Sequence, residues 1–216
     1  MKILILGADG MIGHKIAQKL YRPKFELYLN TRSNKDFLKE IFPKAKIIQN
    51  NFLVSDILKI LNKINPDYIL NCCGITIRRG INLNKSDSVK INSELPYLIS
   101  DWTRKKSSKL IQFSTDCVFS GDNGPYQVSD IKDAKTIYGR AKALGEINDL
   151  ENLTIRTSVI GPDLKADGKE LFSWFMQQTV SIEGYSKAIW SGVSTLALAN
   201  CIEECIVNNI SGLHQL

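Results

Sequence analysis

The sequence predicts an α/β fold, a Rossmann-type doubly wound parallel sheet with a small C-terminal lobe. Three observations predict it. Short apolar runs alternate with helical patterns, as in parallel α/β sheets. The runs are spaced roughly 20 to 40 residues apart, room enough for a crossover helix between parallel strands. A glycine-rich loop follows directly on the first run.

The elements follow in order. Lys2–Leu6 is a first strand, and Gly7-Ala8-Asp9-Gly10-Met11-Ile12-Gly13 turns it into a helix over Met11–Leu20. Strands are expected at Glu26–Asn30 and Lys46–Gln49, with a helix over Val54–Ile64. Pro66 and Asp67 punctuate the entry to a fourth strand, Tyr68–Cys72. A helix over Val89–Lys105 leads to Leu110–Phe113, and one over Tyr138–Asn148 leads to Leu153–Arg156. After Gly161-Pro162 the rhythm changes. Helical segments are expected near Glu170–Thr179 and Thr195–Asn208, and Ser211–Leu216 reads as the start of another strand. The domain boundary is therefore expected at 160, with residues 1–160 binding a dinucleotide and 161–216 forming a partial lobe.

Composition excludes several classes. No apolar run approaches the roughly 20 residues that span a bilayer. The N-terminal apolar stretch is too short for a signal-peptide core, so the protein is expected in the cytoplasm. The five cysteines show no Cys-x-x-Cys and no zinc-ligand spacing, which leaves free thiols packed as small hydrophobes and no metal site. The net charge of +6 is spread along the chain, without a nucleic-acid motif. It reads as a solvated lysine-rich surface.

The glycine loop carries the first chemistry. Its glycines allow a tight turn and close approach of backbone to a pyrophosphate, and the helix start offers unpaired N–H groups. Three glycines could also serve only the turn. The Gly-x-x-Gly-x-x-Gly spacing resembles that of the extended short-chain dehydrogenases. An NAD site usually has a carboxylate at the end of the second strand. Here the chain reads Leu29-Asn30-Thr31-Arg32-Ser33. Arg32 suits a 2′-phosphate, which favours NADP while leaving NAD open. The alternative is a solvent-facing arginine. His14 reads as an exposed helix residue.

Tyr138 and Lys142 stand four apart on a predicted helix and share a face. A nearby ammonium lowers a phenol's pKa, so Tyr138 could give its proton to a carbonyl oxygen. Such a pair also occurs by chance. Ser114, Thr115 and Asp116 stand just past a strand's carboxyl end, where open parallel sheets bind ligands, and a hydroxyl there can hold a substrate carbonyl. The alternative for Ser114 and Thr115 is hydrogen bonding within a strand-end turn.

Ser-Thr-Asp-x-Val-Phe-x-Gly at 114–121, followed by Tyr-Gly-x-x-Lys-x-x-Gly-Glu at 138–146, resembles the dTDP-4-dehydrorhamnose reductase family. The likeness extends through Pro66–Gly74, Ile91-Asn92 and Leu153–Pro162. It implies a Rossmann domain with a smaller substrate lobe, acting on nucleotide-linked 4-keto-6-deoxy sugars of surface polysaccharides. By that resemblance Thr115 completes a triad with Tyr138 and Lys142. Gly7, Gly10, Met11, Ile12 and Gly13 would hold the pyrophosphate. Cys72, Cys73, Gly74 and Thr76 would line the cofactor, and Asn92 would help to position the lysine. The expected partner is a nucleotide sugar, with no nucleic acid and no membrane, and a homodimer is compatible with the family.

Cys72 and Cys73 depart from the usual small alanines, and Cys117 stands where an aromatic is common. Family chains also continue past Leu216, so the lobe is expected to be cut short or reduced, with weak turnover as the consequence. An epimerase on the same scaffold is the nearest alternative. A dehydratase would add an acidic pair beside the threonine, but Cys117 follows Asp116. A non-catalytic NADP-binding subunit, like the regulatory subunit of methionine adenosyltransferase, is a third reading.

Overall fold

The structure, a computed structural model, describes residues 1–33, 35–76, 84–165 and 170–216. The main sheet is built from β1 (Lys2–Leu6), flanked by β2 (Glu26–Thr31) and β4 (Tyr68–Asn71), then β3 (Lys46–Gln49), β5 (Lys109–Phe113), β6 (Leu153–Arg156) and β9 (Gly212–Gln215). The order is β3-β2-β1-β4-β5-β6-β9, and each pairing is parallel. Strands buried on both faces need continuous apolar sequence rather than alternation. In β1, Ile3 and Ile5 join one core while Leu4 and Leu6 join the other.

Helices cover both faces. α1 (Met11–Leu20) and α8 (Thr195–Val207) share the first core, where Ile16, Ala17 and Leu20 meet Leu198, Ala199, Ile202 and Ile206. α3 (Ile57–Ile64) and α5 (Leu95–Thr103) share the second through Leu61, Ile64, Leu95 and Ile99. α3 starts three residues after the expected Val54, because the Asp56 carboxylate caps it by accepting from Leu58 N at 2.8 Å. α5 continues from α4 (Lys85–Val89) through a π-helical turn, Lys90–Glu94. α6 (Ile137–Leu144) is capped by Thr136 and ends at Gly145, short of the expected Asn148. α2 (Lys35–Ile41) was not expected, since only Leu38 of its residues is buried.

The C-terminal third differs from expectation. The strand foreseen at 211–216 forms, but as β9 it extends the main sheet beside β6. β7 (Val159–Ile160) and β8 (Val193–Ser194) make a small separate parallel pair. Residues 193–216 thus pack with the sheet body, because α8 presents an apolar face and β6 an open edge. What lies outside that body is α7 (Leu171–Met176), which has no buried residue.

Candidate active site

The strand order reverses between β1 and β4, and a crevice opens at their carboxyl ends, as open parallel sheets dictate. Gly7 adopts φ +68°, and a Cβ there would lie 3.2 Å from the Cys72 carbonyl, so the two strand-end loops meet backbone to backbone. A Cβ on Gly13 would come within 2.2 Å of Gly7 O. Only glycine lets α1 start this close to β1. The N-cap of α1 is Gly10, which supplies no side-chain cap, so the first-turn amides of Met11, Ile12 and Gly13 are left for a ligand. The Ile12 side chain itself packs against the core.

Asn30 holds this loop in place. Its Oδ1 accepts from Gly7 N at 3.4 Å, and its Nδ2 donates to Ile48 O and Asn50 O. A cavity of about 340 Å³ runs from Gly7 and Gly10 past Arg32 and Ser33 to Cys72, Cys73 and Gly74. Sequence reasoning missed part of its wall: Asn51, Phe52 and Leu53 beyond β3, and Asp163, Leu164, Lys165 and Glu170. The strand-end rule would have found the first group. Nothing in the sequence points to the second, which folds back from beyond β7.

The residues fit a dinucleotide. Glycines form the cradle, α1 offers its amides, and Arg32 lines the groove. Two buried polar atoms, Asn50 Oδ1 and Thr76 Oγ1, have no hydrogen-bond partner among the described residues. Both belong to strand-end segments that border the groove. Desolvation pushes the Cys73 thiol up to about 12 and the Cys72 thiol well above its usual range, which makes them inert walls.

The side chains of Tyr138 and Thr115 stand within range of each other, and Thr115 favours the ionised form of the phenol. Thr115 Oγ1 also accepts from Cys117 N at 3.2 Å and donates to Asp116 Oδ1 at 3.1 Å. Desolvation raises the Tyr138 phenol to about 12, against the lowering by Thr115. The sequence argument expected Lys142 to depress this pKa. The remaining influences on the phenol, after burial and Thr115, come instead from Cys117, Asp116 and Glu170. Lys142 is buried and donates from Nζ to Phe113 O. Desolvation lowers its pKa to about 8, opposed by Cys73, Glu146 and Cys72.

Two expected residues turn elsewhere. Ser114 Oγ donates to Glu146 Oε1 at 2.7 Å, beneath the site rather than into it. Glu146 pairs in turn with Arg156, through Nε at 2.8 Å and Nη2 at 2.9 Å, and with Lys132 at 3.0 Å. Asn92 does not reach Lys142 with its side chain. Its Oδ1 accepts from Ile75 N and its Nδ2 donates to Ile75 O, both at 3.0 Å, and to Ser88 Oγ. The π-helical turn carries Asn92 towards Ile75, whose backbone it fixes. His14, read as exposed, is buried, with Nδ1 2.9 Å from Gly10 O, because it shares the covered face of α1 with Ala17.

Helix α6 is wedged at both ends. A Cβ on Gly139 would meet Cys117 O at 2.2 Å, and one on Gly145 would meet Asn92 O at 1.9 Å. Tyr138 and Lys142 are therefore placed by backbone contact.

The model of the family described as RmlD substrate binding domain matches residues 1–180. The spore coat polysaccharide biosynthesis protein SpsK of Bacillus subtilis is 26% identical over 160 residues, covering 74% of this chain and 51% of that protein. A dTDP-4-dehydrorhamnose reductase of Burkholderia thailandensis is 25% identical over 163 residues, covering 73% and 50%. The chain thus spans about half the length of the curated relatives it matches. Among solved structures, a hypothetical dTDP-4-dehydrorhamnose reductase from Sulfolobus tokodaii superposes with a TM-score of 0.80 at 25% identity, covering 100% of this chain and 76% of that one. The Bacillus anthracis dTDP-4-dehydrorhamnose reductase, solved in complex with NADP, gives 0.75 at 20% identity over 100% and 74%, a likeness of fold. With the glycine cradle, the Thr115–Tyr138 pair and the match over residues 1–180 on one chain, this protein belongs to the dTDP-4-dehydrorhamnose reductase family, that of the RmlD substrate binding domain.

Proposed function

We propose that this chain is an NADP-dependent oxidoreductase of the short-chain dehydrogenase type, reducing the keto group of a nucleotide-linked 4-keto-6-deoxy sugar for surface polysaccharide. NAD binds as an alternative cofactor. The observation that carries the reading is the groove whose glycines and helix start suit a pyrophosphate, with Tyr138 in range both of Thr115 and of Glu170 on the groove's wall. The names of the relatives support the substrate class, and the NADP complex of the Bacillus anthracis protein supports the cofactor. The reading places the chain in the cytoplasm, which its five free cysteines support.

The bound cofactor supplies a hydride. The chain's own residues do the rest. Gly7 and Gly10 would let the loop approach the pyrophosphate while the amides of Met11, Ile12 and Gly13 hold it, and Cys72, Cys73 and Gly74 would form the opposite wall, with Thr76 just behind it. With its pKa near 12, the Tyr138 phenol is protonated at neutral pH and serves as proton donor to the carbonyl oxygen. Thr115 orients that oxygen, and Asp116, exposed beside it, meets the sugar. Lys142 anchors the strand-end carbonyl of Phe113 and sets the local field. Ser114 and Asn92 act indirectly, through Glu146 and the loop at Ile75.

Oxidation of NADPH with a panel of nucleotide-linked ketosugars tests the reading. Tyr138→Phe should leave cofactor binding nearly intact and lower turnover by roughly 10²–10⁴-fold. Full turnover in Tyr138→Phe overturns the assignment. Because Lys142 carries its proton only below about pH 8, turnover should fall as pH rises through that value. A profile flat from pH 7 to 9 removes the lysine from the mechanism. No described helix is long and apolar enough to cross a membrane.

A further inference from the structure

The glycine loop of this chain carries an acid, Asp9, where an anionic ligand must pass. Its carboxylate does not stand alone. Lys165, far along the sequence, reaches over the loop and places Nζ 2.9 Å from Asp9 Oδ2. The same ammonium donates to Ser33 Oγ at 2.8 Å. Ser33 N in turn donates to Thr31 Oγ1 at 3.0 Å, which fixes the short turn at the end of β2. Burial raises the Asp9 pKa, but Lys165, Thr31 and Ser33 together hold it below its ordinary value, so the carboxylate is charged and paired.

The place of this contact matters. The end of β2 is where a dinucleotide fold meets the adenosine ribose, and a carboxylate there would take the 2′-hydroxyl. This chain has Arg32 and Ser33 at that point, both lining the groove with Lys165 and Asp9. An ammonium 2.8 Å from Ser33 Oγ therefore stands at the ribose 2′ position. Lys165 is also partly open to solvent, with 39% of its side chain exposed, so it can exchange one oxygen partner for another.

We propose that Lys165 is a second cation of the 2′-phosphate subsite, beside Arg32, and that Asp9 holds it over the groove until the phosphate takes its place. The inference rests on the dinucleotide reading and deepens it, because it assigns specificity to a residue outside the nucleotide-binding half. A purely structural Lys165 would serve only to neutralise Asp9. It would then affect phosphorylated and unphosphorylated nucleotides alike.

The test is calorimetric titration of the whole chain with 2′,5′-ADP and with 5′-AMP, which differ only in the 2′-phosphate. Lys165→Met should weaken 2′,5′-ADP about tenfold, the lower end for a charge-assisted contact that is partly exposed, and leave 5′-AMP within about twofold. Lys165→Arg should restore most of the loss. A thermal midpoint for each variant separates lost binding from lost folding. An equal loss for the two nucleotides, or no loss for either, overturns the role of Lys165 while leaving dinucleotide binding intact. Failure of the unaltered chain to bind either nucleotide would instead bring down the dinucleotide reading, and this inference with it.

Discussion

Two regions of the molecule handle their difficult groups in opposite ways. Beneath the candidate site, Glu146 is almost wholly buried yet accepts from Arg156, Ser114 and Lys132, so each oxygen is satisfied. Beyond β7, Phe172, Trp174, Phe175, Met176, Tyr185, Ile189 and Trp190 lie exposed. The first region is a polar cluster sealed in a core, and the second an apolar cluster facing water. The difference teaches that the sheet body is stable by its own packing, while the stretch from 171 to 190 contributes little to that packing.

Breaking the buried cluster should have the largest effect. Arg156→Met leaves Glu146 buried without its main partner, and should cost about 3–5 kcal/mol in urea unfolding. A loss under 1 kcal/mol would mean that water reaches Glu146. The same cluster fixes a pH dependence. The folded pKa of Glu146 lies below its ordinary value: burial raises it, but Arg156, Ser114 and Lys132 more than offset that. Its contribution is therefore full above about pH 4.5, the unfolded value, and is lost as pH falls through the lower folded value. Acid titration of Glu146→Gln should show a shallower loss than the unaltered chain in that window.

An intermediate effect is expected where helix α6 meets backbone. Gly145→Ala forces a Cβ against Asn92 O and should destabilise by about 1–3 kcal/mol, since neither side can yield without moving main chain. Unchanged stability would show that α6 can slide. The smallest effect belongs to the exposed stretch. Trp174→Ser and Phe175→Ser should each change unfolding free energy by no more than about 0.5 kcal/mol. A larger loss would show that this stretch packs against the body in solution.

The same contrast explains how much was legible in the sequence. The central strands are runs buried on both faces, so their apolar residues announce them. The glycine loop was legible because only glycine tolerates the approach of Gly13 to Gly7 O. Helix α2 escaped notice because a single residue, Leu38, faces the core. The apolar period of α8 was visible, but a period says that a face is covered and not by what, so its packing on α1 was not. Ser114 and Asn92 have the right residue types at the right places, and only coordinates reveal that their side chains turn to Glu146 and Ile75. Lys165 meets Asp9 across 156 positions of chain, a contact with no local signature.

The wedging of α6 has a consequence for timing. A proton donor that wanders must first return to its place, and each return is a delay written into the rate as activation entropy. Side-chain packing lets a helix drift by fractions of an ångström, because rotamers hop on nanosecond timescales. Glycine against a carbonyl leaves no rotamer to hop. With such contacts at both Gly139 and Gly145, the backbone that carries Tyr138 is held by main-chain packing rather than by side chains. Warming the protein should then speed the chemistry without first blurring the position from which it starts.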